Sequence, residues 1–224
     1  MKHKPLAGKK IAVLVESEYI PHEIAYYQQR FQELGATVDL MSRLWGQQSA
    51  TFISDIDPLG KDRTPHYLIV KKDFNDVEVN DYAAVLMAAN YCSVRLRYFQ
   101  PPAGYPVSAD QVQTSPAVEF FAKAMANKSI VKGALCHGLW ILTPTELLKG
   151  RKVICHTVVL ADVLNAGATY EPSPTKVVVD GDLVTGYSAE QVEPYVEKIA
   201  ERITALHQPN IVRRPPHLMG GDVR

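Results

Sequence analysis

The chain opens with a strand, a helix and a second strand, and this order restricts the fold more than any other feature of the sequence. KKIAVLVES (Lys9–Ser17) is a short apolar run rich in β-branched residues, which is typical of a strand buried on both faces. Ile24, Tyr27, Phe31 and Leu34 then recur at helical spacing, and a glycine follows where the helix would end. Because ATVDLMS is typical of another strand, the order predicts a parallel sheet with crossover helices.

The same alternation continues through most of the chain. The segment YAAVLMAAN is typical of a buried strand, and Pro116–Ala126 has a helical pattern. Later come the predicted strands RKVICH and ATYEP with the helix VVLADVLNAG between them, and a hairpin, KVVVDGDLVTG, that turns at Asp180-Gly181. A last amphipathic helix begins near Ser188 and Gln191, whose side chains suit a capping box. The predicted fold class is α/β, a doubly wound, mainly parallel sheet with helices on both faces.

Three segments interrupt this alternation. Residues 44–80 are rich in turn-forming residues around one strand-like piece, Tyr67–Lys71, and we interpret them as an insertion with room for a small hairpin. The segment YCSVRLRYFQPPAGYP is predicted to be a long loop, and residues 208–224 have no period. The chain is therefore expected to form one α/β domain over residues 1–207, followed by an irregular C-terminal tail.

Composition narrows the class of protein. Lys+Arg and Asp+Glu are balanced at 24 each, so the charge favours neither nucleic acid nor an anionic membrane as a partner. No apolar run approaches the roughly 18 residues that a membrane span needs. The N-terminus lacks the apolar stretch of a signal peptide, and three cysteines without metal-like spacing suit a reducing compartment. We expect a cytoplasmic protein.

The strongest candidate for chemistry lies in SIVKGALCHGLWILTPTELLKG (Ser129–Gly150). This stretch is predicted to begin as a strand, turn sharply at Cys136 and continue as a helix. Ala134 and Gly138, both small, lie two positions before and after the cysteine, as in a nucleophile elbow. Free N–H groups at a helix N-terminus would lower the pKa of the thiol and could hold an oxyanion. The alternative is a buried structural cysteine, and the pattern alone does not separate the two.

Two histidines and one glutamate are candidates for proton transfer. His137 follows the cysteine directly, and His156 ends the next predicted strand, so it would lie beside the cysteine if the two strands are neighbours. Glu23 opens the first helix and would point to the same carboxyl edge, where doubly wound sheets bind their ligands. Glu16 and Glu18 compete for that role. Each of these side chains, taken alone, also suits a structural role.

The segment GALCHGLWILTPTELLKGRKVICH, followed by NAGATYEPSPTKVVVDGDLVTG, resembles the ThiJ/PfpI superfamily. The resemblance covers residues 9–206 and implies the flavodoxin-like fold of class I glutamine amidotransferases. It implies that Cys136 is the reactive cysteine and that Glu23 is the acid that hydrogen-bonds it. His137 matches the histidine of the PfpI-like branch. His156 matches the histidine used in the branch that includes the parkinsonism-associated protein.

The chain differs from PfpI-like members around the expected cleft. Ala89 and Asn90 stand where those members have two glycines, and the Asn90 side-chain amide is expected to replace a lost donor. Val94 stands where they have a glutamate that reaches a neighbouring subunit's histidine, which counts against a peptidase. Ile20 replaces an acid that relatives often carry.

The substrate is expected to meet a few residues near the cysteine. Ala89, Asn90 and Gly138 would line the cleft beside the reacting atoms. Arg95 and Arg97 would bind a carboxylate or phosphate at its mouth, or else belong to a solvated loop.

The resemblance leaves several functions open. The first is an enzyme on small reactive carbonyls, of the glyoxalase III or deglycase type, in which Cys136 forms a hemithioacetal and water is added without a cofactor. The second is a redox-sensing chaperone or regulator with an oxidisable Cys136. The third is a peptidase or amidase. Metal binding by Cys136, His137, Cys155 and His156 is less favoured, because adjacent Cys-His pairs are unlike zinc-ligand spacing. A homo-oligomer, dimeric or larger, is expected from the family.

Overall fold

The computed structural model describes residues 4–56 and 64–207. This part of the chain contains ten strands and six α-helices, joined by turns and short 3₁₀ helices. The strands are β1 Lys10–Leu14, β2 Thr37–Met41, β3 Ala50–Ile53, β4 Tyr67–Val70, β5 Ala84–Met87, β6 Val131–Leu135, β7 Lys152–Val153, β8 Thr169–Tyr170, β9 Val177–Asp180 and β10 Leu183–Gly186. The helices are α1 Pro21–Glu33, α2 Cys92–Leu96, α3 Asp110–Gln113, α4 Pro116–Ala126, α5 Thr157–Asn165 and α6 Val192–His207.

A six-stranded sheet with the order β2-β1-β5-β6-β10-β9 forms the centre of the molecule. Every neighbouring pair is parallel except β9 and β10, which form the antiparallel hairpin predicted from KVVVDGDLVTG. Strands β5 and β6 are buried along their whole length, which explains why their sequences are continuous apolar runs. The predicted α/β class with a mainly parallel sheet is confirmed.

The strand order places a topological switch point at the centre of the sheet. The connection from β1 through α1 leads to β2 on one side, whereas the connection from β5 through α4 leads to β6 on the other. Right-handed crossovers in opposite directions put α1 and α4 on opposite faces of the sheet. Ligands of such sheets bind outside the carboxyl ends of the strands at this point. The segments that follow β1, β5 and β6 are therefore the ones that can build a site.

Three predicted elements differ from the structure. The expected helix after Cys136 is a pair of short 3₁₀ helices, Gly138–Ile141 and Glu146–Leu148, because Pro144 lacks an N–H group and its ring clashes with a continuing α-helix. The expected strand RKVICH shrinks to β7, which pairs with β8 outside the main sheet. Its ladder stops where the Ile154 N–H donates to Thr185 Oγ1 instead (2.9 Å). The predicted loop after β5 contains α2, which is too short to show a helical period.

The insertion carries a hairpin, as its sequence allowed. Strands β3 and β4 pair antiparallel in a separate two-stranded sheet. The hairpin is tied to the main body by a bridge between Tyr19 and Ser54 and by another between Ser42 and Asp73. The predicted irregular tail, residues 208–224, lies outside the described residues, as does part of the insertion, residues 57–63.

Candidate active site

A cavity of about 730 Å³ opens at the carboxyl ends of the central strands. Its described lining brings together the loop after β1, the inserted hairpin, the ends of β5 and β6, and the segment that follows β10. The lining residues are Ile20, Pro21, His22, Asp55, Thr64, His66, Asn90, Cys136, His137, His156, Tyr187, Ser188, Ala189 and Glu190. Three residues predicted from the sequence to take part in chemistry therefore share one cavity: Cys136, His137 and His156.

Cys136 lies on a sharp turn in a backbone conformation that L-residues rarely adopt. Its φ is +58°, directly after the last residue of β6. A Cβ atom at Gly138 would lie 3.3 Å from the Ala134 Cβ, so the two small residues that flank the cysteine face each other across the turn. Glu18 and Asn90, which follow the neighbouring strands β1 and β5, also have positive φ values of 68° and 61°. Strained backbone thus collects at the edge where the cavity opens.

Burial keeps the Cys136 thiol protonated at neutral pH. The residue is 6% exposed, and burial raises its pKa to about 11. The backbone N–H groups of Asn90, His137 and Ala189 favour the thiolate, whereas the charge of Glu23 disfavours it. The sequence predicted a lowered pKa from a helix N-terminus, and this is wrong. The helix is a single 3₁₀ turn, and the nearby amides do not outweigh the loss of solvent.

His137 is the imidazole in direct contact with the thiol. Its Nδ1 lies 3.4 Å from the Cys136 Sγ. Burial and, to a smaller extent, the nearby His156 lower the pKa of His137 to about 4, so the ring is neutral over the physiological range. A neutral imidazole beside a neutral thiol can accept its proton. Of the two candidate histidines, His137 is thus the one placed to act as the base.

His156 lies beside Cys136, although the strand before it is not a neighbour of β6 in the sheet. The sequence placed His156 beside the cysteine on the condition that its strand neighbours β6, but β10 occupies that place in the sheet. Instead, the His156 N–H donates to the Cys136 carbonyl (3.3 Å), while its Nδ1 accepts from the Val158 N–H (3.3 Å) and caps α5. The His156 ring centroid is 5.1 Å from that of His137. One ring nitrogen of His156, Nδ1, therefore caps α5, and the residue also lines the cavity.

Glu23 is fully buried at the start of α1. The Ala89 N–H lies 3.0 Å from both carboxylate oxygens, and burial raises the pKa of Glu23 to about 7 although Tyr27 and Ala89 favour the charged form. No direct hydrogen bond between Glu23 and the Cys136 sulfur is present in residues 4–56 and 64–207; the two groups interact through their charges.

The competing glutamates have other partners. Glu16 accepts from the Ser17 N–H (2.6 Å), and Glu18 pairs with Arg95 (2.9 Å). Of the three acids considered from the sequence, Glu23 is the buried one beside the cysteine.

The residues after β5 contribute backbone groups to the site. Asn90 lines the cavity, but its side-chain amide donates to the Glu18 carbonyl (2.8 Å), so the prediction that this amide replaces a donor in the cleft is wrong. The Asn90 backbone N–H instead lowers the pKa of Cys136, and the residue has a positive φ that asparagine tolerates better than most residues. Ala89 acts through its N–H on Glu23, and Gly138 gives space to the turn.

Arg95 and Arg97 do not line this cavity, which corrects their predicted place at its mouth. Because their segment forms α2, they border a second cavity of about 720 Å³ together with Trp45 and Tyr98. Arg95 is engaged with Glu18, and the Arg97 Nη1 donates to Thr143 Oγ1 (3.2 Å) and more weakly to the Trp140 carbonyl (3.4 Å).

Sequence reasoning missed the rings that surround His137. The ring centroids of Tyr91 and Trp140 lie 5.4 and 5.3 Å from that of His137, in both cases stacked. The three-residue spacing of His137 and Trp140 was available as a signal, but it points to stacking only if the turn is 3₁₀ rather than α-helical. Asp55 and His66 on the inserted hairpin were also missed, because no pattern relates the insertion to the cysteine.

The described part of the chain lacks a membrane-spanning helix and a cluster of metal ligands. No helix there has the length and apolar character to span a bilayer. No group of three or more His, Cys, Asp or Glu side chains there could hold a metal ion.

Comparison with known proteins extends these findings. Residues 102–202 match the DJ-1/PfpI family model. The chain is 27% identical over 191 residues to "Putative cysteine protease YraA" of Bacillus subtilis, covering 84% of this chain and 94% of that protein. It is 24% identical over 189 residues to "Protein/nucleic acid deglycase 2" of Escherichia coli, again covering 84% and 94%. A crystal structure of a ThiJ/PfpI domain protein from Brachyspira murdochii shares the fold, with a TM-score of 0.67, 14% identity, and coverage of 89% and 98%.

The matched segment includes the cysteine on the turn and two of the histidines that line the cavity, His137 and His156. The likeness in fold extends to nearly the full length of the solved relative. The chain thus resembles the DJ-1/PfpI family over residues 102–202 and shares its fold with a solved ThiJ/PfpI domain protein.

Proposed function

We propose that the chain is a cofactor-independent enzyme that adds the Cys136 thiol to small reactive carbonyl compounds. The observation that carries the proposal is the contact between Cys136 Sγ and the Nδ1 of a neutral His137 (3.4 Å) in a cavity of about 730 Å³. A cavity of this size suits a small molecule. Aldehydes suit a neutral thiol better than amides do, because they are more electrophilic and have no leaving group to protonate.

The addition step follows from the protonation states. The Cys136 S–H proton passes to His137 Nδ1 while the sulfur bonds to the aldehyde carbon, so a free thiolate is never required. The imidazolium then returns the proton to the former carbonyl oxygen, and a neutral hemithioacetal results. The backbone N–H groups of Asn90 and Ala189, which face the sulfur, are available to the developing oxyanion.

Water addition completes the reaction for a 2-oxoaldehyde such as methylglyoxal. The proton on the hemithioacetal carbon moves to a base, and a proton is added to the adjacent carbonyl carbon. One carbon is thereby oxidised and its neighbour reduced, and a thioester of the hydroxy acid results. Water then cleaves the thioester, releasing lactate and restoring the Cys136 thiol. Glu23, with a pKa of about 7, is matched to carry protons in both directions near neutral pH.

A deglycase uses the same first chemistry on an adduct of the carbonyl. The E. coli relative carries that activity in its name, and its likeness supports a carbonyl-derived substrate for this chain. The raised thiol pKa argues against the redox-sensing alternative, because oxidation begins from the thiolate.

Peptide hydrolysis is the second candidate, since the B. subtilis relative is named as a cysteine protease of uncertain standing. A peptidase needs an acid for the leaving amine. His137 would have to supply that proton after taking it from Cys136. Val94, where PfpI-like members carry a glutamate, gives this ring no acidic support.

The test is a direct comparison of substrates and variants. Purified protein is incubated with methylglyoxal, a glycated amino acid or a fluorogenic peptide, and substrate loss and lactate formation are followed. We expect methylglyoxal loss by the wild type and by Cys92→Ser, whose side chain is buried and bonded to the Glu16 carbonyl, and only the rate of the buffer blank by Cys136→Ala. Equal rates for the wild type and Cys136→Ala would contradict the proposal, and turnover of the peptide alone would favour the peptidase.

A further inference from the structure

We propose that Trp140, fixed by Asp162, positions the His137 ring as the proton acceptor for Cys136, in the place that an acidic side chain takes in most catalytic histidine sites. The inference rests on the proposed function in one respect, which is that His137 is the base. It concerns how the chain holds that base without a hydrogen bond to its second nitrogen.

The second nitrogen of His137 has nothing to orient it. A catalytic histidine is usually fixed in one orientation and tautomer because its other nitrogen donates to a carboxylate or a backbone carbonyl. The Nε2 of His137 is buried, and it has no hydrogen-bond partner within residues 4–56 and 64–207. The residue is 8% exposed, so solvent does not replace the missing partner. Packing must therefore set the plane of the ring.

Three rings pack around His137 in place of the acid. Trp140 is nearly parallel to the imidazole, with an angle of 21° between the planes, and Tyr91 has an angle of 17°. The centroids of Tyr91 and Trp140 are 6.0 Å apart, so the two rings and the imidazole form a compact triangle. His156 packs against the imidazole at 5.1 Å and a steeper angle. Turning the His137 ring away from Cys136 would break these stacked contacts.

The local helix type creates the stacking of His137 and Trp140. The Trp140 N–H donates to the His137 carbonyl (3.0 Å), which is a 3₁₀ hydrogen bond. Side chains three residues apart eclipse one another in a 3₁₀ helix, whereas an α-helix would rotate them apart by about 60°. Pro144 prevents the α-helical alternative, as described above. The departure from the predicted α-helix is thus the feature that brings the indole onto the imidazole.

Hydrogen bonds fix both the side chain and the backbone of Trp140. Its Nε1 donates to the Asp162 Oδ2 on α5 (2.7 Å), a short bond to a charged acceptor. Its carbonyl accepts from the Thr143 hydroxyl (3.0 Å) and from Arg97 (3.4 Å). Helix α5 is also the one that His156 caps, so the anchor of the indole and the second histidine belong to the same element.

Burial, more than any neighbouring charge, sets the pKa of His137. Cys136 and His156 face the imidazole from the turn and from the start of α5, and Tyr91 faces it from the segment before α2. Asp162 and Arg97 act on Trp140 rather than on the imidazole. Removal of the indole admits water to His137, and burial is the main reason for its lowered pKa. The pKa should therefore rise towards the ordinary value of about 6.5.

The experiment measures the His137 ring directly and needs no substrate. Histidines are labelled with ¹³C and ¹⁵N, the His137 signals are assigned with His137→Gln, and the pKa and tautomer are read from NMR spectra over pH. We expect Trp140→Leu to raise the pKa of His137 by at least about one unit and to mix its tautomers. Trp140→Phe keeps a stacked ring but loses the bond to Asp162, so we expect a smaller change than in Trp140→Leu, of the size that Asp162→Ala produces.

A matched substitution at the other tryptophan provides the control. Trp45 packs against Tyr98 and Arg43 away from the cysteine, so Trp45→Leu should lower the melting temperature and leave the His137 titration unchanged. If Trp140→Leu does not fold, Asp162→Ala carries the test, and we expect the same changes in pKa and tautomer at a smaller size. An unchanged pKa and tautomer in every folded variant of the pair, whatever the loss of melting temperature, would overturn the proposal.

Kinetics separate this proposal from the proposed function. Where a carbonyl substrate is turned over, Trp140→Leu should lower kcat several-fold at pH 5 and less at pH 8, with KM little changed. Equal losses at both pH values would contradict the positioning role. If no carbonyl is turned over by the wild type, the proposed function fails, while the NMR titration still decides whether the indole positions the ring.

Discussion

The two ends of the central sheet each bury a titratable side chain completely, and they treat it in opposite ways. Lys132 lies on β6 near the amino end of the strand, and Glu23 lies at the carboxyl edge, where it accepts from the Ala89 N–H after β5. Both are 0% exposed. At one end the buried charge has opposite charges around it, and at the other end it has none among the described residues.

The amino end is a closed ion-pair network. Lys132 Nζ contacts Asp182 Oδ2 and also donates to the Asn127 carbonyl (3.0 Å), while Arg151 reaches the other oxygen of Asp182 (2.9 Å) and pairs with Asp180 (2.6 Å). Burial would raise the pKa of Asp182, but the contact with Lys132 and the nearby Arg151 hold it below its usual value. Burial lowers the pKa of Lys132, and the contact with Asp182 opposes this shift, so the pairing favours the charged form of both groups.

At the carboxyl edge, Glu23 has no opposite charge among the described residues to offset the cost of its burial. Glu23 receives the N–H of Ala89, but no cation pairs with it in the described parts of the chain. Its pKa is consequently raised to about 7, that of His137 lowered to about 4, and that of Cys136 raised to about 11. The comparison shows two effects of burial. A buried group with an opposite charge beside it keeps its charge and stabilises the fold, whereas a buried group without one has a strongly shifted pKa, as groups in active sites often do.

Removal of the carboxylate at the closed end should produce the largest change in stability. Asp182→Asn leaves Lys132 buried without its opposite charge, and we expect a loss of about 3–5 kcal/mol in the free energy of unfolding. The matched control is Glu171→Gln, which breaks the exposed ion pair with Lys152 (3.0 Å) and should cost less than about 1 kcal/mol. Urea titration at pH 7 measures both. Similar losses for the two variants would contradict the contrast between paired and exposed charges.

The pH dependence of stability should have opposite signs at the two ends. The pKa of Glu23 is about 7 in the folded protein and near 4.5 when unfolded, so its contribution is present in full below pH 4.5 and is lost as the pH rises through 7. The change amounts to about 3 kcal/mol. Asp182 has a lowered pKa, so its contribution is present above its ordinary pKa of 3.8 and is lost as the pH falls.

Glu23→Gln isolates the first of these effects, since glutamine resembles the protonated carboxyl group. We expect the wild type to lose stability relative to Glu23→Gln between pH 4.5 and 8, as measured by urea titration across that range. A constant difference between the two proteins across the range would mean that Glu23 is not buried as a neutral acid.

A smaller effect separates the two histidines at the carboxyl edge. His156→Ala removes the acceptor for the Val158 N–H at the start of α5 and should cost about 1 kcal/mol, whereas His156→Asn restores a capping acceptor. The kinetic effect should have the opposite order. His137→Gln should cost little stability and lower kcat more than His156→Asn does. Thermal unfolding and steady-state kinetics measure the two quantities. A larger kcat loss in His156→Asn would assign the base to His156.

Sequence patterns predicted the sheet and the sharp turn at Cys136 because these depend on local periodicity and on the small residues that flank the turn. The runs that became β1, β5 and β6 are buried on both faces, and such runs are recognisable without the fold. The protonation states could not be predicted, because they depend on how much solvent the folded chain removes from Cys136 and His137. The places of Arg95 and Trp140 depend on short helices, whose few residues show no period.

Site-resolved alkylation tests most directly whether Cys136 is a reachable but neutral nucleophile. Native protein is treated with iodoacetamide from pH 6 to 10, and each cysteine is quantified by peptide mass spectrometry. Burial raises the pKa of Cys155 to about 12 and that of Cys92 further, and neither lines the cavity. We predict that Cys136 reacts first, at a rate that still rises with pH at about pH 10. A rate that levels off below pH 7 would show a thiolate instead of a thiol, and labelling no faster than that of Cys92 would show that the cavity gives no access to the sulfur.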